Sequence, residues 1–414
     1  MNLKRVVVTG LGALTPIGNT TTDFWNSLVN GVSGAGLITH FNAEKFKCKI
    51  ACELKGFNAL DYFDKKESRK IDPFAQYGIV AAEEAIKDAG IDDSSINKTR
   101  VGVIWGSGMG GIQTFESECR NYIEGGFIPR FSPFFVPKTI GDICAGLVSI
   151  RHGFRGPNYA TTAACASSAV AINDALMLLR LGKADIIVAG GSEAAVNECS
   201  IGGFGSMQAL STRNSDPLTA SRPFDKGRDG FVLGEGAGVL ILEELDHALA
   251  RGANIYAELC GSGLTADAYH ITASHPDGLG AMEAMHLALQ DAEIRLDEVD
   301  YINTHGTSTP VGDISEPKAI YSLFGERAYS ISLNSTKSMH GHLLGATGCI
   351  EAIATILALK NGIIPPTINH FEDDPNIIPL DFTFNVAKQR EIHCALSNAF
   401  GFGGHNVSLA FRKY

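Results

Sequence analysis

The residue with the clearest chemical potential in this chain is a cysteine, Cys165, in the segment Thr161-Thr162-Ala163-Ala164-Cys165-Ala166-Ser167-Ser168. Apolar residues at helical spacing follow it, which predicts that the thiol lies at or near the N-terminus of a helix. Free N–H groups and the positive end of the helix dipole favour a thiolate there, and a thiolate is a nucleophile for covalent catalysis. The alternative for this residue alone is a small, buried and inert cysteine.

Two histidines and a glycine-rich turn extend the chemistry that a reactive thiol could perform. His305 follows a predicted strand, at the kind of strand end where α/β proteins gather reactive groups. Thiolate attack, proton transfer by imidazole and an oxyanion held by backbone N–H groups together indicate acyl transfer. The loops concerned span residues 303–313 with His305, 334–345 with His342, and 397–406 with Phe402.

Each histidine also has a plainer interpretation, because a single histidine is more often a hydrogen-bonded structural residue than a catalyst. His340 and His342, two residues apart, could instead be a pair of metal ligands. No third ligand stands at a recognisable spacing, so the sequence favours no metal site.

The elements that must position these loops alternate between strands and helices. Short β-branched runs that lead into glycine predict buried strands, and apolar stretches between them predict helices, which is the pattern of an α/β fold. Gly10 and Gly12 are expected to form a turn after the first strand and resemble half of a dinucleotide-binding fingerprint. The third glycine and the acidic residue of that fingerprint are missing. The predicted strands begin near residues 4, 101, 184, 236, 299 and 330, and the clearest helices span 77–89 and 280–292.

A weak internal repeat suggests that the chain is duplicated. Residues 163–187 form a small-residue turn, an apolar helix and a strand, and residues 345–364 repeat that order, with Ile363-Ile364 as the strand. We therefore expect two related halves, 1–254 with the cysteine and 255–414 with the two histidine loops.

Composition limits the classes of protein to consider. The 414 residues are 45% hydrophobic, enough for a large core, and the net charge of −11 argues against a nucleic-acid binder. Nine scattered cysteines without a Cys-x-x-Cys pair, and no evident signal peptide or membrane span, predict a location in the reducing cytoplasm.

The loops together resemble those of the β-ketoacyl-[acyl-carrier-protein] synthases, in particular the elongating type of bacterial fatty-acid synthesis. The similarity runs from Arg5 to Gly404, and it includes the motifs Arg222-Pro223-Phe224-Asp225 and Gly234-Glu235-Gly236-Ala237. It implies a thiolase-like duplicated fold, a five-layer α-β-α-β-α sandwich, normally as a homodimer. It also implies acyl carrier protein as the partner and no cofactor beyond the phosphopantetheine that carries the substrates.

The resemblance implies a role for each residue. Cys165 would carry the acyl group, while His305 and His342 would promote decarboxylation of malonyl carrier protein and stabilise the enolate. Lys337 and Glu351 would support the site, and the N–H groups of Cys165 and Phe402 would form the oxyanion hole. Phe402 would also act as a gate to the site. Thr307 and Thr309 would bind the pantetheine arm, and Met109 would line the acyl pocket.

A basic cluster offers a docking surface for the acidic carrier protein, although a solvated helix face would look the same. It comprises Lys65, Lys66, Arg69 and Lys70, with Arg130, Lys138 and Arg213 as weaker candidates.

The sequence departs from the family at two positions next to the active loops. His340 and His405 stand where threonine is usual, and they could change gating or the pH profile. Three other functions stay open: a synthase of a polyketide or aryl polyene pathway, a non-catalytic partner of a synthase, and a thiol hydrolase.

Overall fold

The computed structural model describes residues 3–414 and consists of strands and helices in alternation. The strands are β1 Val6–Leu14, β2 Gly36–Leu37, β3 Ile50–Ala51, β4 Val101–Gly106, β5 Asn158–Thr161, β6 Ile186–Glu193, β7 Gly236–Glu244, β8 Ala257–Ala266, β9 Tyr301–Asn303, β10 Ser332–Asn334, β11 Ile363–Ile364, β12 Asp381–Phe382, β13 Lys388–Gln389, β14 Cys394–Gly401 and β15 His405–Arg412. The α-helices are α1 Thr21–Val29, α2 Lys65–Ser68, α3 Pro73–Ala89, α4 Ile112–Glu124, α5 Phe135–Thr139, α6 Ile143–His152, α7 Ser167–Arg180, α8 Glu198–Ser206, α9 Leu245–Ala250, α10 Leu279–Asp291, α11 Gly312–Phe324, α12 Lys337–His340 and α13 Thr347–Asn361.

Helix boundaries follow local signals in the sequence. In α3, Asp72 caps the first turn by accepting from the Phe74 N–H, Pro73 occupies the first helical position, and Gly90 ends the helix in the left-handed conformation at φ 63°. The inner strands β1, β6 and β7 are buried at every position, as expected for strands covered on both faces.

The main sheet has 11 strands in the order β12-β10-β9-β14-β15-β8-β1-β7-β6-β4-β5. Only two residue pairs join β1 to β8 at its centre, so the sheet divides there into an N-terminal and a C-terminal half. Helices α7 and α13 pack on each other and against strands of both halves, while α3 covers the outer face of the first half and α10 that of the second. This order of layers confirms the five-layer α-β-α-β-α sandwich.

The two halves repeat one connectivity, but the sequence analysis misplaced one strand of the repeat. In the first half, α7 leads into β6, which pairs with β7; in the second, α13 is followed by β14, which pairs with β15. The predicted counterpart of β6, Ile363–Ile364, instead forms β11, which pairs with β13 outside the main sheet. An insertion of about thirty residues separates α13 from its true strand, and a short apolar run took its place in the prediction. The proposed division at residues 254/255 falls between α9 and β8 and stays a prediction.

The expected glycine turn after the first strand is absent, because β1 continues through both glycines to Leu14. A Cβ atom on Gly12 would lie 2.0 Å from the Ala81 carbonyl oxygen, and one on Gly10 would lie 2.5 Å from that of Ala85. These glycines therefore allow α3 to pack closely on β1. Among residues 3–414, none of the helices has the length and apolar character needed to cross a bilayer.

Candidate active site

A cavity of about 290 Å³ brings together most of the residues predicted to do chemistry. It lies where the loops after β5, β9, α12 and β14 meet. Its lining includes Cys165, Phe204, Phe231, His305, Thr307, Thr309, His342, Leu344, Phe400 and Phe402.

Cys165 lies two residues before α7, as its surroundings predicted. The hydroxyl of Ser167 accepts from the Ala163 N–H at 2.9 Å, and the hydroxyl of Thr161 donates to the Ser167 carbonyl at 2.8 Å. These bonds hold a tight turn in which Ala164 adopts the left-handed conformation at φ 48°. Such backbone strain in a non-glycine residue is typical of functional sites.

The expectation of a thiolate at this position is wrong for the structure as it stands. Burial is the largest influence and raises the pKa of the Cys165 thiol to about 11. The N–H groups of Phe402 and of Cys165 itself, and the charge of Lys337, act in the opposite direction. The resting residue is therefore a thiol, which must lose its proton to a base during attack.

The same two N–H groups lie close to the Cys165 sulfur, and their role as an oxyanion hole stays a prediction. Gly401 makes this approach possible. A Cβ atom there would lie 2.6 Å from the Ala163 carbonyl oxygen and 3.2 Å from the Cys165 nitrogen, so only glycine lets the turn carrying Phe402 reach the cysteine.

The two histidines face each other, with ring centroids 5.5 Å apart. His342 Nδ1 lies 3.0 Å from the Thr347 hydroxyl, and a hydroxyl that donates there leaves the proton on Nε2. His305 Nδ1 is buried without a partner. Burial and the charge of Lys337 hold the pKa of both imidazoles well below the usual range, so both are neutral at physiological pH.

Lys337 and Glu351 form a fully buried ion pair, with Nζ 2.6 and 2.8 Å from the two carboxylate oxygens. Burial outweighs the lysine and raises the pKa of Glu351 to about 7. Neither side chain lines the cavity, and the charge of Lys337 acts on both histidines from outside it.

Thr307 and Thr309 line the cavity, and their hydroxyl oxygens are 3.0 Å apart. Ser308 between them is left-handed at φ 68°, and its N–H donates to buried Asp313 at 3.1 Å. The loop thus holds both threonines at the cavity, and their role on the pantetheine arm stays a prediction.

The other predicted site residues lie elsewhere. Met109 does not line the cavity and is 36% exposed, so its pocket role stays a prediction. The docking candidates line a separate surface groove, and Lys70 Nζ lies 5.3 Å from the centre of the Phe134 ring. That groove is lined by Lys65, Lys66, Arg69, Lys70, Ser132, Pro133 and Phe134, while Arg130, Lys138 and Arg213 lie outside it.

The two unusual histidines behave differently from each other. Both ring nitrogens of His340 are engaged, by the Gly341 carbonyl at 2.8 Å and the Thr336 hydroxyl at 2.9 Å, which leaves none free for a metal. Burial lowers the pKa of His340 to about 3, so the expected new titrating group does not arise there. His405 is exposed beside the Gly403 turn. In residues 3–414 no three metal-ligating side chains are grouped to hold an ion.

Sequence reasoning missed two buried carboxylates, Glu193 and Glu316, and two aromatic residues of the cavity wall, Phe204 and Phe231. Glu316 accepts from the N–H groups of His305 and Gly306, each at 2.9 Å, and Glu193 accepts from three backbone N–H groups around the cavity. Phe204 and Phe231 pack along one wall of the cavity, with their ring centroids 5.5 Å apart. Nothing in the sequence around these four residues indicates a role, because their contacts with the site form only in the folded chain.

Comparison with known proteins gives consistent matches over the whole chain. Residues 3–248 match the family model for the beta-ketoacyl synthase N-terminal domain, and residues 256–371 match that for the C-terminal domain. The chain is 49% identical over 411 residues to 3-oxoacyl-[acyl-carrier-protein] synthase 2 of Synechocystis, covering 99% of this chain and 98% of that protein. It is 50% identical over 411 residues to the protein of the same name from Staphylococcus aureus strain COL, covering 99% of each.

Solved structures of other ketosynthases have the same fold as this chain. A beta-ketoacyl synthase from Burkholderia phymatum superposes with a TM-score of 0.92 at 36% identity, covering 99% of this chain and 100% of that one. AntDE, a ketosynthase solved with its type II polyketide acyl carrier protein AntF, superposes with a TM-score of 0.92 at 34% identity over 100% of both chains.

Proposed function

The chain belongs to the beta-ketoacyl synthase family, and from that premise we propose that it extends fatty acyl chains by two carbons on acyl carrier protein. The reaction is a decarboxylative condensation of malonyl carrier protein with an acyl group held on Cys165, so the enzyme is an acyltransferase. One observation carries the proposal: a buried thiol under two backbone N–H groups shares a cavity with two neutral imidazoles.

In the first half-reaction the Cys165 sulfur attacks the thioester carbonyl of an acyl carrier protein. A carbon–sulfur bond to Cys165 forms, and the bond to the pantetheine sulfur breaks. The N–H groups of Cys165 and Phe402 stabilise the oxyanion in between. Because the resting thiol is protonated, its proton passes to the leaving pantetheine sulfur during this step, so the half-reaction releases no net proton.

In the second half-reaction the malonyl group loses carbon dioxide. The electron pair of the broken carbon–carbon bond enters an enolate, whose oxygen accepts from Nε2–H of His305 and His342. The carbanion attacks the Cys165 thioester, a new carbon–carbon bond forms, and the carbon–sulfur bond to Cys165 breaks. The products are a 3-oxoacyl carrier protein, carbon dioxide and a Cys165 thiolate, which takes up one proton from water to become a thiol again.

The remaining site residues support these steps. Burial and the charge of Lys337, which Glu351 holds in place, keep both histidines neutral, so each donates to the enolate oxygen as an imidazole rather than as an imidazolium. The hydroxyls of Thr307 and Thr309 suit the amides of a pantetheine arm that enters along their loop. The reaction as written needs no cofactor beyond the carrier's own phosphopantetheine.

The test is a reconstituted condensation of malonyl carrier protein with a series of acyl carrier proteins. Conversion of saturated acyl chains to 3-oxoacyl products supports the proposal. Preference for growing polyketone or polyene chains would favour the alternative pathway, although higher identity to the fatty-acid enzymes argues against it. Release of free acid from acyl-Cys165 would indicate a hydrolase, and no turnover with any donor would indicate a non-catalytic partner.

The acidic carrier protein is proposed to dock on the basic groove. The carboxylate of Asp64 caps α2 by accepting from the N–H groups of Lys66 and Glu67, at 2.7 and 2.8 Å, and this places the flanking cations on one exposed turn. Phe134 adds an apolar surface beside Lys70.

Changing Lys65, Arg69 and Lys70 together to glutamate should raise the KM for acyl carrier protein by about tenfold at low salt, because attraction becomes repulsion. Alkylation of Cys165 should not change. A matched control reverses Lys87, Lys183 and Lys413, three exposed lysines away from the groove. Equal KM values for the two triple variants at low salt would rule out docking at this groove.

A homodimer is the second proposed assembly. Strand β5 ends the sheet with one edge unpaired, and the chain from α4 to β5 exposes many apolar side chains. They include Phe115, Ile123, Phe127, Ile128, Val136, Ile140, Ile150 and Tyr159. We expect sedimentation equilibrium to give twice the monomer mass, and a monomer at micromolar concentration would contradict this.

The cytoplasmic location also stays a prediction.

A further inference from the structure

One buried carboxylate beside the cavity has no role in the mechanism above. Glu193 is the last residue of β6, and its side chain is fully buried. All its hydrogen-bond partners are neutral donors. A buried charge without a cation is costly, and it persists only where several hydrogen bonds offset that cost.

The donors to Glu193 come from two loops in different halves of the molecule. Oε2 accepts from the N–H of Gly108 at 2.8 Å and from that of Gly345 at 3.0 Å. Oε1 accepts from the Met109 N–H at 3.1 Å and the Ser107 hydroxyl at 3.2 Å. Residues 107–109 follow β4 in the first half, while Gly345 lies three residues after His342 in the second. One carboxylate thus joins the turn that carries Met109 to the loop that carries His342.

The joined loops are packed tightly on each other and lie in van der Waals contact with the cysteine turn. A Cβ atom on Gly345 would lie 2.3 Å from the Gly108 nitrogen, and one on Gly108 would lie 3.5 Å from the Ala164 carbonyl oxygen. Leu344, which lines the cavity, is held left-handed at φ 45°. A shift of Gly345 relative to Gly108 would therefore move the wall of the cavity next to His342.

Glu193 also acts on the thiol through its charge. It raises the pKa of Cys165, in opposition to Lys337, while burial raises the pKa of Glu193 itself to about 7. His305 and His342 are neutral, and Asp267 also lines the cavity; the charges that shift the pKa of the Cys165 sulfur are those of Lys337 and Glu193.

We infer that Glu193 is a positioning residue for the condensation, a buried strap that fixes the His342 loop against the Cys165 turn. The inference rests on the proposed function for its kinetic part. It goes beyond that function in assigning the alignment of nucleophile and imidazole to a side chain that touches neither substrate.

The test is Glu193→Gln, which keeps the shape and removes the charge. Its NH2 group must face two of the present donors, either the N–H groups of Gly108 and Gly345 or the Met109 N–H and the Ser107 hydroxyl. We expect kcat for condensation to fall by about 10²-fold, the cost of a misplacement near 1 Å, with the KM for malonyl carrier protein little changed. Loss of the negative charge should also move the midpoint of Cys165 alkylation by iodoacetamide to lower pH. Alkylation needs no carrier protein, so this readout holds even if the proposed condensation fails.

A matched control is Glu84→Gln, because Glu84 also accepts from two backbone N–H groups, those of Ala13 and Thr21, far from the cavity. It should leave kcat and the alkylation midpoint unchanged. Glu193→Gln with wild-type kcat, or with an unchanged alkylation midpoint, would overturn the inference. If Glu193→Gln does not fold, Glu193→Asp provides the test, because it keeps the negative charge but shortens the side chain. We then expect kcat to fall while the midpoint of Cys165 alkylation stays at the wild-type pH. A wild-type kcat in Glu193→Asp would overturn the inference.

Discussion

Cys165→Ala is expected to lower the rate of condensation by about 10⁴-fold or more, the scale of loss when a covalent nucleophile is removed. No other cysteine lines the cavity among residues 3–414, so no neighbour can take over the acyl group. The variant should fold normally, because alanine leaves only a small space at a turn that Ser167 and Thr161 hold. The measurement is 3-oxoacyl product formation, together with intact mass after incubation with acyl carrier protein alone.

The mass experiment separates the nucleophile from the rest of the site. The parent enzyme should gain one acyl group, and the variant none. Cys144→Ala is the matched control, since Cys144 is also buried but lies in a core away from the cavity; it should acylate and condense like the parent. An alanine variant at 165 that condenses at the parent rate would show that the thioester is not on the path.

The sequence predicted most of the strands and helices but not how they join. Buried strands such as β4 and β6 were visible as apolar runs between helices, since parallel strands covered on both faces need them. The strand after α13 was misplaced because β14 lies thirty residues further on, and only pairing with β15 identifies it. The register of a strand and the length of an insertion are set by pairing in the folded sheet. The periodicity of a short stretch of sequence therefore does not predict them.

Residue type singled out loops that the fold brings together around one cavity, but it did not predict the pKa values of their side chains. A position at a helix N-terminus predicted a thiolate at Cys165, yet burial raises the pKa of the thiol to about 11. The depth of a side chain depends on what covers it, and here the cover comes from the Phe402 turn and Leu344, more than 170 residues away. The pKa depression at His305 and His342 was equally hidden, because it depends on burial and on Lys337 behind them.

A sequence also does not reveal which loops will be strained. Ala164, Ser308 and Leu344 all adopt the left-handed conformation next to the cavity, although none is glycine or asparagine. Their conformations are imposed by contacts across the fold, such as Asp313 on the Ser308 N–H and Glu193 on the Gly345 N–H. A search for buried carboxylates that accept from loop N–H groups would have found these supporting residues once a structure existed.

Lys337→Met is expected to produce the largest loss of stability, about 3–5 kcal/mol in the free energy of unfolding near pH 8, because it leaves the Glu351 carboxylate buried and unpaired. The pKa of Glu351 is already raised to about 7 by burial, and loss of Lys337 must raise it further. A carboxyl whose folded pKa exceeds its unfolded value binds a proton more readily when folded, so stability declines as pH rises between the two. The deficit should therefore be smaller near pH 6 than near pH 8 in urea titrations.

Lys337→Met combined with Glu351→Gln separates this electrostatic cost from packing. The double variant buries no charge, so it should recover most of the lost stability and lose the pH dependence of the deficit. It should not recover wild-type catalysis, because Lys337 also holds down the pKa of His305 and His342. With that charge gone, both pKa values rise and the acid limb of the kcat profile moves to higher pH. Equal stability of the single and double variants at both pH values would mean that the buried pair stabilises by shape alone.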